Sequence, residues 1–371
     1  MKILLIGDAS HYHRTLAEGL RRHGHTVCVA SEGSSWMNTG RDVDLQRRLP
    51  GPFGGALLWA RVNTTLRSML RGWDVVQLCG PTFMQLRPER LRLLFDKLRR
   101  HNGSVCLTAI GTDTAFIDMC KDKDCPLEYS EWRVDRKPTE FARSERGKSL
   151  SLWQAKELSE FSKYIYDNVD GAVTALYEYQ LSMKRVIDAD RIAYGGIPID
   201  TNEIKRCTNS TDAPIRILLP SHIGREQEKG IPELSGIADA LARKYPEKVE
   251  IMPVQNLTYA EFLTKIAMSD IVLDQLYSYT PATTALLAMA MGKTVVTGAE
   301  KDFNAFQGCD TPAINVDPRC PERIIPVVEK FLDRKALDDN ADKARRYVIE
   351  HNDCEVVARR YEAFWEKISH R

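Results

Sequence analysis

LDQLYSYTPATTALLAMAMGKTVVTG, residues Leu273–Gly298, changes character twice. Thr283–Met291 is built of small and flexible apolar residues with good helix propensity, and Pro281 suits the first turn of such a helix. Gly292 stops it, and the β-branched run Thr294–Thr297 follows at once. The pattern predicts a strand (Ile271–Asp274), a loop, a helix and a second strand. The carboxyl end of the first strand meets the amino end of the helix at Tyr277–Thr283. In α/β folds that junction binds phosphorylated ligands, because helix N–H groups and the positive end of the dipole point there.

Working back from this stretch, the second half keeps an αβ rhythm. Strands are expected at Ile215–Leu219 and Val249–Pro253, with helices near 231–244 and 259–267 between strands. The first of these strands runs into Ser221–Gly230, SHIGREQEKG. Arg225 and Lys229 stand four apart in this loop, bounded by Gly224 and Gly230. Such a pair can converge on a diphosphate, Arg through its planar fork and Lys as a mobile point charge.

The first half opens as strand (Lys2–Ile6), helix (Thr15–Gly24) and strand (Thr26–Ala30), a βαβ start. Glu32 sits where a ribose-binding acid belongs, but Gly7 stands without the G-x-G-x-x-G of a dinucleotide site, so a dehydrogenase ranks third. Further strands are expected at Val75–Leu78, Ser104–Ile110 and Gly171–Leu176, the last of this half. Thr139–Asn168 and the tail Pro321–Ile368 read as helical, the tail with Val356, Tyr361 and Phe364 on its apolar side. Three loops of the first half end on one sheet edge: Gly7–His13, Cys79–Met84 and Gly111–Thr114. His11 and His13 could orient an acceptor there. Lys121–Lys148 is a long polar excursion, and Cys120 and Cys125 alone make no zinc site.

Pro88–His101 reads as an amphipathic helix with Leu91, Leu94, Phe95 and Leu98 on one stripe. Arg90, Arg92, Lys97, Arg99 and Arg100 occupy the remainder, as a solvated face or a peripheral contact with anionic lipid headgroups. The 371 residues suffice for two domains and carry a net charge of +1, which gives no global field for nucleic acid. The charge is uneven, with 16 Lys and Arg against 8 Asp and Glu in residues 1–100. Nine Cys, the short apolar start MKILLIG and the lack of an eighteen-residue apolar run indicate reduced thiols in a cytoplasmic protein.

Ser269-Asp270-Ile271, Leu286–Ala290 and Gly292–Val296 together resemble the "SDI…PS…E…G…LEAMA.G.PVV" segment of retaining GT-B glycosyltransferases, notably glycosyltransferase family 4. The "GR…KG" of that family resembles Gly224-Arg225 and Lys229-Gly230, and its "P.G.D" crossover resembles Tyr194–Asp200. The family's two donor-site glutamates fall here on Tyr279 and Leu287. The resemblance implies two Rossmann-like domains facing across a cleft: 1–197 on the acceptor side, 198–350 on the donor side, and 351–371 as a terminal helix crossing back. It implies glycosyl transfer from a UDP- or GDP-sugar to a glycan or lipid-linked acceptor in polysaccharide biosynthesis, with no cofactor and no metal. Arg225 and Lys229 would neutralise the leaving diphosphate, Gln255, Asn256 and Leu257 would flank the base, and Asp113 would lie near the sugar. With the glutamates replaced, the donor's hydroxyls would turn to Tyr279, Thr280, Thr283 and Thr284. The alternative is a GT-B-like protein that binds nucleotide or glycan without transfer.

Overall fold

The computed structural model describes residues 1–34, 37–210 and 213–369. By their internal contacts these form two compact units. The first comprises Met1–Asp118, Leu152–Asp200 and the residues from Cys354 onward; the second comprises Met119–Ser151 and Thr201–Asp353.

The first unit is organised by continuous apolar runs such as Ile3–Ile6, buried on both faces as a central parallel strand requires. Seven parallel strands lie side by side in the order Ile192–Tyr194, Gly171–Thr174, Ser104–Ala109, Val75–Cys79, Lys2–Ile6, Thr26–Ser31, Val43–Asp44. The order reverses direction between Lys2–Ile6 and Val75–Cys79, so their carboxyl ends open a crevice at a topological switch point. Helix Pro88–His101 forms as its periodicity predicts, burying Leu91, Leu94, Phe95 and Leu98 in the core. The carboxyl-terminal helix Cys354–Ser369 belongs to this unit and lies on helix Tyr12–Arg22. Gly19 permits that approach: a Cβ there would stand 2.2 Å from the Cys354 carbonyl oxygen.

The second unit has five parallel strands in the order Val249–Gln255, Ile215–Ser221, Ile271–Leu273, Thr294–Thr297, Ile314–Asn315. Its switch point falls between Ile215–Ser221 and Ile271–Leu273, the strands that feed the two loops singled out above. Helix Ile231–Lys244 covers the sheet with Leu234, Ile237, Ala238 and Leu241.

Several local expectations are corrected. The helical stretch Thr139–Asn168 is broken into Glu140–Arg143, Glu145–Leu150, a short 3-10 turn and Lys156–Asn168. Ser144 causes the first break: its backbone is extended, and its hydroxyl accepts from the Gly147 N–H to start the next helix. Gly171–Thr174 is not the last strand of the first half, because Ile192–Tyr194 pairs beside it. Within the Lys121–Lys148 excursion, three two-residue strands make a small antiparallel sheet. Pro281 stays outside helix Thr283–Ala290, whose N-cap is Ala282. The tail interrupts its helices at Asn352, and Val357 rather than Val356 is buried beside Tyr361 and Phe364. Among the described residues no helix is long and apolar enough to cross a membrane.

Candidate functional site

In the first unit the switch-point crevice is a cavity of about 110 Å³. Gly7–Ala9, Glu32, Cys79–Phe83, Ile110, Thr112, Asp113 and Trp153 line it, so all three loops named from the sequence contribute. Gly7 is required here: φ is +79°, and a Cβ would press to 3.0 Å against Cys79 and the Phe83 carbonyl oxygen.

Acids dominate this crevice. Burial pushes the Asp8 carboxyl up to about 6 and the Asp113 carboxyl up to about 6, and raises Glu32. Asp8 Oδ1 accepts from the His13 N–H at 2.9 Å, while Oδ2 makes no hydrogen bond of ordinary geometry, with the Thr39 hydroxyl nearby. Both oxygens of Asp113 are engaged. Oδ1 accepts from Phe116 N–H at 2.9 Å, capping helix Thr114–Lys121, and Oδ2 accepts from the Tyr166 hydroxyl at 2.9 Å. Asp113 therefore lines the cavity as a helix cap that keeps a titratable edge. The sequence signal for Asp8 is its place two residues past the end of the central strand Lys2–Ile6.

The two histidines separate. His13 is fully buried, and Nδ1–H donates to the Gly7 carbonyl at 2.8 Å while Nε2 accepts from the Thr108 hydroxyl at 3.0 Å. Gln77 Nε2 donates to the same hydroxyl at 3.0 Å, and Gln77 Oε1 accepts from Trp365 Nε1 at 3.0 Å. Burial holds His13 neutral, down to about 4. It is a hub that ties the first loop and the terminal helix to the sheet, and it does not line the cavity. His11 occupies the left-handed N-cap of helix Tyr12–Arg22 at φ 65°, and burial and then Arg14 lower it to about 4.

In the second unit, the two cations expected to converge on one diphosphate, Arg225 and Lys229, are paired within the protein. Each holds its own carboxylate. Arg225 donates to Glu228 through Nε at 3.1 Å and Nη2 at 2.6 Å. Lys229 donates from Nζ to Asp274 Oδ1 at 2.9 Å, with both side chains largely buried. Gly224 turns the loop at φ +80° with open space around it. Asn256, also left-handed, accepts the Ile223 N–H on Oδ1 at 3.1 Å, and Gln255 donates to Glu226 at 3.2 Å. Leu257 is half-buried beside them.

The loop after Ile271–Leu273 is packed against the next strand. Asp274 N–H donates to the Val296 carbonyl at 2.9 Å, and Gly298 has no room for a side chain beside the Ser278 carbonyl. Asp274 Oδ2, Ser278 Oγ and Thr297 Oγ1 are buried there without a hydrogen-bond partner among the described residues. Buried polar atoms left without a protein partner cost free energy unless a water or a ligand meets them, so these three can serve a bound molecule. Tyr279 is buried, and its hydroxyl accepts the Glu128 N–H at 2.7 Å. Thr280 is buried, while Thr283 and Thr284 open helix Thr283–Ala290, which has no side-chain cap. Leu287 is buried within that helix. Among the described residues no group of three or more His, Cys, Asp or Glu is placed to hold a metal ion.

The backbone as a whole has known counterparts. Sucrose-phosphate synthase from Thermosynechococcus elongatus superimposes with a TM-score of 0.64 at 13% identity, over 99% of each chain. The chain has the GT-B fold. HepE from Anabaena, in a structure described as a complex with UDP and glucose, gives 0.57 at 13% identity over 99% of each chain. A putative UDP-N-acetylglucosamine 2-epimerase from Listeria monocytogenes gives 0.56 at 13%, over 98% of this chain and 95% of that one. The GT-B fold thus accommodates chemistry other than transfer, and function has to be argued from the residues. No family model matches the chain, and no curated protein matches it either.

Proposed function

We propose that the protein is a glycosyltransferase that moves a sugar from a nucleoside diphosphate sugar to a glycan or lipid-linked acceptor. The observation that carries this reading is the switch point of the second unit. There a buried Lys229–Asp274 pair, an uncapped helix amino end at Thr283 and three orphaned polar atoms gather at the carboxyl ends of adjacent strands. Diphosphate oxygens draw on Lys229, Arg225 and the N–H groups of Thr283 and Thr284, which supply positive charge to the leaving group without calling on a divalent ion. Tyr279, Thr280, Thr283 and Thr284 serve the donor's hydroxyls, and Gln255, Asn256 and Leu257 flank a uracil or guanine base. The sugar transfers with retention.

In this reading residues 1–197 carry the acceptor, residues 198–350 the donor, and 351–371 the returning helix. Asp8, Asp113 and Glu32 face the acceptor; carboxyls near pH 6 can take hydrogen bonds from sugar hydroxyls and exchange a proton at neutral pH. His11 shapes the same loop. The protein works in the cytoplasm in polysaccharide biosynthesis, with the exposed basic face of helix Pro88–His101 against the inner membrane surface. The decisive experiment is a thermal-shift screen of UDP, GDP and their sugars, followed by turnover with the sugar that stabilises. A ligand at a hundred times its dissociation constant adds about 2.7 kcal/mol, a shift that is readily seen.

One observation favours a second reading, a GT-B protein that binds nucleotide without transfer. Arg225 and Lys229 are each already neutralised by a carboxylate, and both glutamate positions hold buried Tyr279 and Leu287. Stabilisation by nucleotide with no turnover of any sugar nucleotide would select it.

A further inference from the structure

At the opposite edge of the first unit, where strands begin, helix Pro88–His101 ends beside the segment that follows helix Gly51–Asn63. Gly72 N–H donates to the His101 carbonyl at 3.0 Å, and strands Val75–Cys79 and Ser104–Ala109 start just beyond. Between the two segments lies a cavity of about 360 Å³. Arg67, Arg71, Lys97, Arg100 and His101 surround it over an apolar floor, and no Asp or Glu lines it.

An ordinary solvated face mixes its signs, and this one does not. The helix dipole accounts for cations in the last turn of Pro88–His101, but not for Arg67 and Arg71, which arrive from another segment. Crowding is evident inside the cluster. Arg71 Nη2 stands 3.1 Å from His101 Nε2, and His101 is lowered by desolvation and then by Arg71, Arg100 and Arg67. A neutral His101 accepts that Arg71 N–H, which turns the guanidinium without cancelling its charge. Three guanidinium forks and an ammonium around one hollow match the oxygens of a phosphate group, and a single carboxylate would leave most of them unmet.

We propose that this hollow is a second ligand site, for a phosphate group carrying at least two negative charges, held by Arg67, Arg71, Lys97 and Arg100. It lies at the strand edge away from the acid-lined crevice and does not rest on the donor reading. The phosphate can belong to a soluble anion or to a lipid headgroup, in which case the basic helix engages the membrane through a defined pocket.

The test titrates the full chain with inorganic pyrophosphate, following heat and amide hydrogen exchange, at low and high salt because exposed charges are screened within about 10 Å at 0.1 M. Arg71→Gln/Arg100→Gln should weaken binding by about tenfold or more, the scale of lost charge-assisted hydrogen bonds, while leaving UDP binding unchanged. Exchange in 62–72 and 94–102 should slow in the wild type only. Arg225→Gln/Lys229→Gln should do the reverse, so failure of the donor reading and of this one are told apart. In parallel, vesicles of phosphatidic acid and phosphatidylcholine are compared with phosphatidylcholine alone. Anionic-vesicle binding that needs Arg71 and Arg100, with no pyrophosphate effect, assigns the phosphate to a lipid headgroup. If neither pyrophosphate nor anionic vesicles distinguish wild type from Arg71→Gln/Arg100→Gln, or protection appears only around 221–230, the site does not exist.

Discussion

Lys229 Nζ lies 2.9 Å from Asp274 Oδ1, and Asp274 Oδ2, on the same carboxylate, has no hydrogen-bond partner among the described residues. Asp274 directly follows strand Ile271–Leu273 and Lys229 ends the short helix Glu226–Lys229, and the Lys229 carbonyl also accepts the Leu276 N–H at 2.9 Å. A half-satisfied buried carboxylate held by one lysine is a weak way to stabilise a fold, because desolvation offsets most of the attraction. It suits a lysine that is kept in position until an anion takes it over.

Asp274→Asn should therefore act in opposite directions on the two states. Without ligand it leaves Lys229 buried and uncompensated, costing about 3 to 5 kcal/mol. A nucleoside diphosphate then supplies the missing charge, so UDP or GDP should raise the melting temperature of the variant by more than that of the wild type. Equal shifts in a thermal melt would mean that Lys229 does not meet the ligand.

Four titratable groups around the crevice, three buried and His11 half-buried, predict a masked pH dependence. Asp8 and Asp113 rise to about 6 on folding, while His11 and His13 fall to about 4. Unfolded, these types titrate near about 3.9 and about 6.5. Raised acids give stability that is present below about pH 3.9 and lost as pH rises through about 6; depressed imidazoles give stability present above about 6.5 and lost as pH falls through about 4. Over that window the two contributions oppose. Asp8→Asn keeps an acceptor for the His13 N–H and removes one acid, so its stability relative to wild type should improve by about 2 to 3 kcal/mol between pH 4 and pH 7. Denaturant unfolding at both pH values checks this, and a pH-independent difference would return Asp8 to an ordinary exposed-type carboxyl.

What the sequence made legible follows from signal length. Pro88–His101 has four core residues at helical spacing and formed between the residues expected, and nine of the twelve strands of the two parallel sheets were found within two residues, while the short strands Val43–Asp44, Ile192–Tyr194 and Ile314–Asn315 were not. The helix Gly51–Asn63 carried no such signal, because Gly51, Pro52, Gly54 and Gly55 are poor helix formers, yet Pro52 sits in its first turn and Gly54 is needed where the Leu49 carbonyl approaches. The two-residue strands Tyr129–Ser130, Arg133–Val134 and Lys137–Pro138 are too short to show a period. At the candidate site the loops were legible because strand ends position them, whereas partners were not. That Arg225 pairs with Glu228, Lys229 with Asp274 and His13 with Thr108 depends on contacts up to 95 residues apart in the chain.

Gly298 gives a steric test of the donor loop. A Cβ at this position would stand 1.6 Å from the Ser278 carbonyl oxygen, so Gly298→Ala must displace the loop that carries Tyr279 and Thr280. Overpacking of this kind costs about 1 to 3 kcal/mol. Nucleotide stabilisation should be lost beyond what the lower melting temperature explains, measured as dissociation constants well below the transition. Retained affinity would place the donor elsewhere.

The replaced glutamates supply the sharpest contrast. Leu287 is 3% exposed, and its neighbours Ala285, Leu286, Ala288, Met289 and Ala290 are all buried, so the helix has no solvated side at that level. Leu287→Glu then buries a charge with no partner and should cost about 3 kcal/mol or more. Thr283, at the helix start, is only half-buried, and Thr283→Val should alter stability by no more than about 0.5 kcal/mol while weakening donor binding. Tyr279→Phe removes the acceptor for the Glu128 N–H and should cost about 1 to 2 kcal/mol together with donor affinity. The same three variants in a sugar-nucleotide turnover assay separate the two functional readings. Loss of turnover in Thr283→Val and Tyr279→Phe, with Leu287→Glu merely unstable, fits a working transferase whose hydroxyl-binding groups are Thr and Tyr. A gain of turnover in Leu287→Glu would instead identify position 287 as a catalytic slot that a leucine has closed, and the natural protein as one that binds its nucleotide without transferring the sugar.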